Sequence, residues 1–208
     1  KKYKPVTLEI VEELKKNCGE KYVIYNDPEK LELYSHDETP GKEWAAMPEA
    51  VVRPASSDEI AKILKLANEK NVPITPRGAG SGLSGGAVPI KGGIVISVDR
   101  MNKILELDRE NMMITVEAGV IANEINEYIK EYNLFYAGYP MSMETCFIGG
   151  NVAENAGGGK AVKYGVTARY VLGLEVVTPT GEIIQMGGKL LKDVTGYNMV
   201  QLMVGSEG

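Results

Sequence analysis

Five glycines fall within the fourteen residues PRGAGSGLSGGAVP, Pro76 to Pro89, and their spacing suits one chemistry above others: holding an anion with main-chain N–H groups. Gly80–Ser81–Gly82–Leu83–Ser84–Gly85 fits G-x-G-x-x-G, the pattern that in dinucleotide-binding βαβ units opens a long helix whose amino end faces a pyrophosphate. No such helix can follow here. Pro89, Gly92 and Gly93 interrupt it, and the apolar strand-like run Ile94–Val98 comes next. Asp99 stands about where a ribose-binding acid would, but without the helix the pattern loses its mechanics. A P-loop fails as well, because no Gly-Lys-Ser/Thr closes the segment. Two readings survive. Successive glycines let consecutive N–H groups turn toward one point and form an anion nest, with hydroxyls from Ser81 and Ser84 and with Arg77 either pairing with a phosphate or bracing the loop; or the stretch is a structural turn.

A second cluster, CFIGGNVAENAGGGKAVKYG from Cys146 to Gly165, places Gly149–Gly150 and Gly157–Gly159 on either side of Asn151, Glu154 and Asn155. The segment Asn151–Ala156 is too short for a stable isolated helix, though one turn fits. Two separate cradles of small residues suit a long ligand with a flat ring and a diphosphate. The plainer alternative is that these glycines permit tight packing. Tyr136, Tyr139 and Tyr164 are candidates for either core packing or ring stacking, and Lys160 and Lys163 for either phosphate neutralisation or solvation.

These residues must be carried by ordinary elements, and the pattern supplies them. Thr7–Asn17 reads as a helix with Leu8, Val11 and Leu14 on one face and Gly19 past its end. Tyr22–Tyr25 and Ala50–Arg53 read as strands, with irregular surface over 26–48. Ser56-x-x-Glu59 is a capping box that opens a helix with Ile60, Ile63, Leu64 and Ala67 inward. The strand Val72–Thr75 then delivers the glycine loop at its carboxyl end, where α/β architectures collect ligands. Ile94–Val98 is a further strand. Ile104–Leu107 and Met112–Glu117 pair around Arg109–Asn111. Ala122–Lys130 is helical with Ile121, Ile125, Tyr128 and Ile129 inward. Leu174–Thr178 and Glu182–Met186 flank the turn Pro179–Thr180–Gly181, and the last residues are expected to run as loop. Two α/β lobes are expected, to about residue 100 and from about 101.

Composition excludes several classes. Hydrophobic content of 44% and charged content of 25% are those of an ordinary globular chain. Glycine makes up 24 of 208 residues, above the usual ~7%, and concentrates in 78–86, 149–159, 187–188 and 205–208, which marks loops. Net charge −5 offers no footprint for nucleic acid or an anionic membrane. Two cysteines, Cys18 and Cys146, and one histidine, His36, exclude a disulfide scaffold and leave no metal site to propose. No apolar run approaches the ~18 residues of a membrane span and the first residues lack a secretory core, so a cytoplasmic location is the default expectation.

PRGAGSGLSGGAVP, CFIGGNVAENAGGGKAVKYGVTARYVLGLEVVTPTGEI and TGYNMVQLMVGSEG, taken together and in this order, resemble the flavin-binding domain of the vanillyl-alcohol-oxidase/p-cresol-methylhydroxylase superfamily, nearest its branch of D-lactate dehydrogenases and glycolate oxidase flavin subunits. The likeness runs from about Trp44 to Gly208, behind a lead-in over 1–43. It implies an α+β fold: two intimate α/β lobes forming a p-cresol-methylhydroxylase-type FAD-binding domain, with the substrate or cap domain outside this chain. It implies that Arg77, Gly78, Ala79, Gly80, Ser81, Gly82 and Leu83 wrap the FAD diphosphate. Pro140, Ser142, Thr145 and Cys146 would run beside the flavin and ribityl chain. Gly149, Gly150 and Asn151, then Asn155, Ala156, Gly157 and Gly158, would form the second cradle, with Tyr164 and Glu207 as further contacts.

Where many relatives have threonine, Ser81 keeps the hydroxyl. The first loop lacks the histidine of covalent-flavin relatives, and Cys146 does not fall where covalent-cysteine relatives place theirs, so dissociable FAD is expected. The implied activity is oxidation of a 2-hydroxy acid of the D-lactate or glycolate type by hydride transfer to flavin N5. Electrons would pass to a separate acceptor, an electron-transferring flavoprotein being the candidate, and the catalytic base would lie outside this sequence. Two alternatives are an isolated FAD-binding or electron-relay module without turnover and an NADPH-dependent flavin reductase of cell-wall precursor synthesis; the NAGGGKAVKYGVT wording argues against the reductase. On this reading Gly80→Val should cost FAD retention with little loss of folding.

Overall fold

The computed structural model describes residues 3–208, apart from the side chain of Lys42. Residues up to Arg100 together with Val176–Ile184 form one compact unit, and Met101–Glu175 together with Gln185–Gly208 form a second. The tip of the late hairpin therefore belongs with the first half of the chain.

In the first unit, capping signals set the helices. Thr7 caps α1 (Leu8–Cys18) by accepting from Ile10 N, and Gly19 ends it at φ +93°. Ser56 Oγ accepts from Glu59 N at 3.3 Å while Glu59 Oε2 accepts from Ala55 N at 2.8 Å, which fixes the start of α3 (Ser57–Lys70). Asn71, left-handed at φ 57°, closes it. Between α1 and α3 the chain forms β1 (Val23–Tyr25), the short helix α2 (Pro28–Glu32) and β2 (Ala50–Val52). The expected irregular surface over 26–48 thus holds a helix, nucleated by the Asp27 cap and Pro28 at its first position.

β3 (Ile74–Arg77) and β4 (Ile94–Ser97) complete a four-stranded sheet in the order β1-β2-β4-β3, with β1 antiparallel and the other three parallel. Every residue of β4 is buried, as expected of a central parallel strand covered on both faces. Alternation assigns the faces. Ala50, Val52, Ile94 and Ile96 pack with Ile10, Val11 and Leu14 of α1 and Ile63 of α3. Val51 and Val95 point the other way, toward Leu31 of α2. Burial of each such side chain contributes about 1.5 to 3 kcal/mol. Leu8, expected inward, is 66% exposed, and Ile10 takes the buried position in the first turn of α1.

The β2-α3-β3 unit puts the glycine loop at the carboxyl end of β3, and β4 slots between the two strands of that unit. The chain must therefore return along the strand length before β4. Gly93 makes the re-entry: φ is +72°, and a Cβ there would fall on Pro73 O and lie 2.6 Å from Pro73 Cγ. Its N–H donates to Glu49 Oε1 at 3.2 Å, and Ile94 N donates to Pro73 O at 2.9 Å. Gly93→Ala should destabilise the sheet by about 3 kcal/mol, combining left-handed strain with a backbone clash. The denaturant midpoint measures this, with Gly85→Ala as the control, since Gly85 has positive φ but nothing within 4 Å.

The second unit opens with β5 (Ile104–Asp108) and β6 (Met113–Val116), antiparallel as expected, with a register shift between Ile104 and Glu106. α4 (Ala122–Ile129) follows, then α5 (Ile148–Glu154) and α6 (Ala161–Tyr164). Val120, Ile125 and Ile129 form its core with Ile104, Leu107, Ile114, Val116 and Ile148 around them. Tyr128, expected inward, is 46% exposed. β7 (Gly173–Val177) and β8 (Ile183–Gly187) form the hairpin read from Pro179–Thr180–Gly181. The expected terminal loop holds α7 (Met199–Met203), capped by Asn198 Oδ1 accepting from Gln201 N at 3.0 Å. Among the described residues no helix is long and apolar enough to cross a membrane, and no group of three or more His, Cys, Asp or Glu is placed to hold a metal.

Candidate functional site: two glycine-rich cradles

In the first unit the glycine loop leaves β3 and runs from Gly78 to Gly85 without regular structure. None of the N–H groups of Gly78, Ala79, Gly80, Ser81, Gly82 or Leu83 donates to another backbone group among the described residues. A run of main-chain donors left open in this way is what an anion nest requires, because buried or half-buried N–H groups are otherwise paired. Ser81 and Gly82 are half-buried, whereas Leu83 is 70% exposed and faces solvent.

Arg77 does not reach toward a ligand. It is buried, and its guanidinium folds under the loop: Nη1 donates to His36 O at 2.7 Å and to Ala87 O at 3.4 Å, and Nη2 donates to Leu33 O at 3.3 Å. The Tyr34 ring lies 5.6 Å from the charge. Of the two roles read from the sequence, bracing is the one observed. Gly80 (φ +75°) sits directly over this group, since a Cβ there would lie 2.5 Å from Arg77 Cζ. The expectation that Gly80→Val would leave folding nearly intact is therefore wrong: the space beside Gly80 is filled by the guanidinium.

Sequence reasoning misses the segment that receives Arg77. Asp37, buried, accepts from Gly85 N at 3.0 Å through Oδ2 and from Thr39 N at 2.9 Å through Oδ1, and Glu38 N donates to Gly82 O at 2.9 Å. The signal is present in SHDETP, where an aspartate two residues before a threonine is a side-chain turn. His36 itself is exposed, with Nδ1 3.0 Å from Ser35 Oγ.

In the second unit α5 organises the remaining candidates. It forms despite Gly149 and Gly150, which carry low helix propensity, because close packing requires one of them. A Cβ at Gly149 would lie 2.8 Å from Ala118 Cβ and 2.9 Å from Ala118 O. Gly157 and Gly158 are likewise packing glycines, the first against Val166 and the second against the backbone of Tyr139 and Pro140. Gly150 differs, having open space within 4 Å. Asn151, 3% exposed, has a side-chain amide nitrogen that is buried without any hydrogen-bond partner. Buried donors are almost always satisfied, so this orphan marks a place where an acceptor belongs.

Around α5 the structure gathers distant stretches. Ser142 O accepts from Thr145 N and Cys146 N, both at 2.9 Å, and Cys146, buried, presents its carbonyl to Ala122 N. Pro140 borders Gly158. Asn155 ends α5 in the left-handed region, and its Oδ1 accepts from Ala168 N at 2.9 Å, so that oxygen is committed to the fold. Ala156 O accepts from Thr167 Oγ1 at 2.8 Å. Gly205 N and Glu207 N donate to Val152 O and Ala153 O, which brings the GSEG segment onto the same helix. Tyr164 packs edge-on to Phe135 at 5.6 Å, and Lys160 Nζ donates to Tyr139 Oη at 2.7 Å, which raises the lysine pKa. Tyr136 is core: its hydroxyl donates to Gly138 O at 2.8 Å, and burial pushes its pKa up to about 12.

Taken separately, each unit offers features that fit FAD: a glycine loop whose N–H groups make no backbone bonds among the described residues in the first, and an orphaned buried amide at Asn151 next to the uncrowded Gly150 in the second. The fold carries the same meaning. It is similar to a solved structure of alkyldihydroxyacetonephosphate synthase (TM-score 0.83, 26% identity, 98% of this chain and 38% of that one). It is also similar to p-cresol methylhydroxylase with substrate bound (TM-score 0.75, 26% identity, 99% and 40%). This is the p-cresol-methylhydroxylase type of flavin-binding architecture. The chain belongs to the FAD binding domain family, whose model matches residues 48–187.

Among curated proteins it is 46% identical over 200 residues to the glycolate oxidase subunit GlcD of Bacillus subtilis, covering 93% of this chain and 42% of that protein. It is 44% identical over 208 residues to the D-lactate dehydrogenase of Anaerostipes hadrus (99% and 42%). A D-2-hydroxyglutarate dehydrogenase of Xanthomonas citri is 38% identical over 185 residues (89% and 39%). The chain spans about two fifths of the length of these relatives.

Proposed function

We propose that this chain is the FAD-holding part of a flavoprotein dehydrogenase that oxidises a small 2-hydroxy acid of the D-lactate or glycolate type. The observation that carries the reading is the loop at 78–83, whose N–H groups donate to no other backbone group among the described residues, in a chain 46% identical to a glycolate oxidase subunit. Main-chain donors of Gly78–Leu83 and the Ser81 hydroxyl would hold the diphosphate. Asn151 and the open face at Gly150 would serve the flavin end, alongside Pro140, Ser142, Thr145 and Cys146. Bound FAD supplies a two-electron acceptor, chemistry no side chain here provides.

The chain's own contribution is orientation and a fixed array of donors that need not reorganise when negative charge develops. Both thiols are buried, and Cys18, pushed up to about 12 chiefly by burial, is a poor nucleophile. FAD would be held without a covalent bond, since the first glycine loop carries no histidine and both thiols are buried. Electrons leave to a separate acceptor, an electron-transferring flavoprotein, and the protein works in the cytoplasm.

The test is anaerobic addition of D-lactate, glycolate or D-2-hydroxyglutarate, and separately NADPH, to FAD-loaded protein of the relatives' full length. Bleaching by a hydroxy acid and not by NADPH is the expected result. Bleaching by NADPH alone would make it a reductase, and bleaching by neither would leave a flavin-holding module without turnover of its own.

A further inference from the structure

Arg77 is a charge that the described residues leave without a carboxylate partner. Its nitrogens go to three carbonyls, of His36, Ala87 and Leu33. The carboxylate of Asp37 is bonded to Gly85 N and Thr39 N and makes no direct ion pair with the guanidinium among the described residues, although its negative charge is felt by Arg77. A guanidinium never deprotonates at working pH, and a buried charge whose nearby carboxylate is not in direct contact with it is only partly compensated. Yet the structure places it directly under Gly80, in the middle of the loop whose N–H groups are open. The loop is therefore fixed at two points, by Asp37 on Gly85 and by Arg77 beneath Gly80.

We propose that Arg77 is a positioning residue that charges the anion loop from below: its buried guanidinium, only partly balanced by Asp37, would favour a diphosphate held by the loop's main-chain donors. This rests on the FAD reading above and adds the source of the loop's charge. Two roles are combined in one side chain. Its carbonyl bonds hold the loop open, and its charge acts through the loop backbone, where low dielectric and fixed geometry make a single charge worth far more than in water.

Titrations of the purified chain with FAD, riboflavin and inorganic pyrophosphate, over a range of salt, separate these roles. Arg77→Gln should weaken FAD and pyrophosphate at least about tenfold and flatten the salt dependence of both, leaving riboflavin, which has no phosphate, within about twofold. Arg77→Lys, which keeps the charge and loses the three-carbonyl fit, should hold FAD within about threefold of wild type while lowering Tm. If Arg77→Gln does not fold, the lysine variant decides alone: retained FAD supports the proposal and a loss equal for all three ligands overturns it. Arg77→Gln with wild-type FAD and pyrophosphate affinity would also overturn it. A wild-type chain that binds no FAD at all would defeat the underlying functional reading instead.

Discussion

Gly80→Val should both strip the protein of FAD and cost about 3 kcal/mol of stability, roughly 6 to 12 °C in Tm for a chain of this length. Two effects combine. The residue sits at φ +75°, a region that β-branched side chains avoid. Its Cβ would lie 2.5 Å from Arg77 Cζ, and the guanidinium cannot retreat without breaking its bonds to His36 O and Leu33 O. Gly85→Val separates the contributions. Gly85 has φ +78° with nothing within 4 Å, so it carries the strain without the collision. The thermal midpoint of the apo protein and the FAD retained after gel filtration are measured on both variants. Gly80→Val should fall well below Gly85→Val in each. Equal stability of the two would show that Arg77 does not occupy the space under Gly80.

Asn151→Leu should move the two observables in opposite directions. The apo protein should be as stable as wild type or up to about 1 kcal/mol more so, because an unsatisfied buried donor costs about 1 to 3 kcal/mol and leucine removes it with little change in volume. FAD affinity should drop about tenfold to a hundredfold, since the bond that satisfies the amide is lost. An ordinary core asparagine would behave otherwise: its removal would lower apo stability and leave FAD untouched. Equilibrium denaturation of the apo chain and a flavin-fluorescence titration give both numbers on the same preparation.

The elements legible in the sequence are those fixed by local chemistry. Thr7 and Ser56 announce α1 and α3, Pro179–Thr180–Gly181 announces the β7–β8 turn, and the alternation around Arg109–Asn111 announces β5 and β6. What stays hidden depends on distant atoms. α5 contains two glycines that argue against a helix, and Gly149 is needed only because Ala118 lies against it. The insertion of β4 between β2 and β3 leaves no mark on either strand. Tyr128 and Leu8 sit at helical spacing from core residues yet face water, because amphipathic periodicity fixes a face only to within a turn.

The candidate site shows the same division. Its glycine-rich stretches can be read directly, and two of their meanings have to be kept apart. Gly149, Gly157 and Gly158 are packed against neighbours, whereas Gly150 is open. Whether Arg77 points outward or folds beneath its loop is decided by carbonyls of His36 and Leu33, some forty residues upstream. The orphaned Asn151 amide is a property of burial alone, and no spacing rule could expose it.

Whether this chain holds FAD through main-chain donors is measured most directly by flavin absorbance after the apo chain is mixed with excess FAD and passed through gel filtration. The prediction is one FAD per chain co-eluting with the protein, released intact on denaturation. A colourless protein peak at saturating FAD would contradict it.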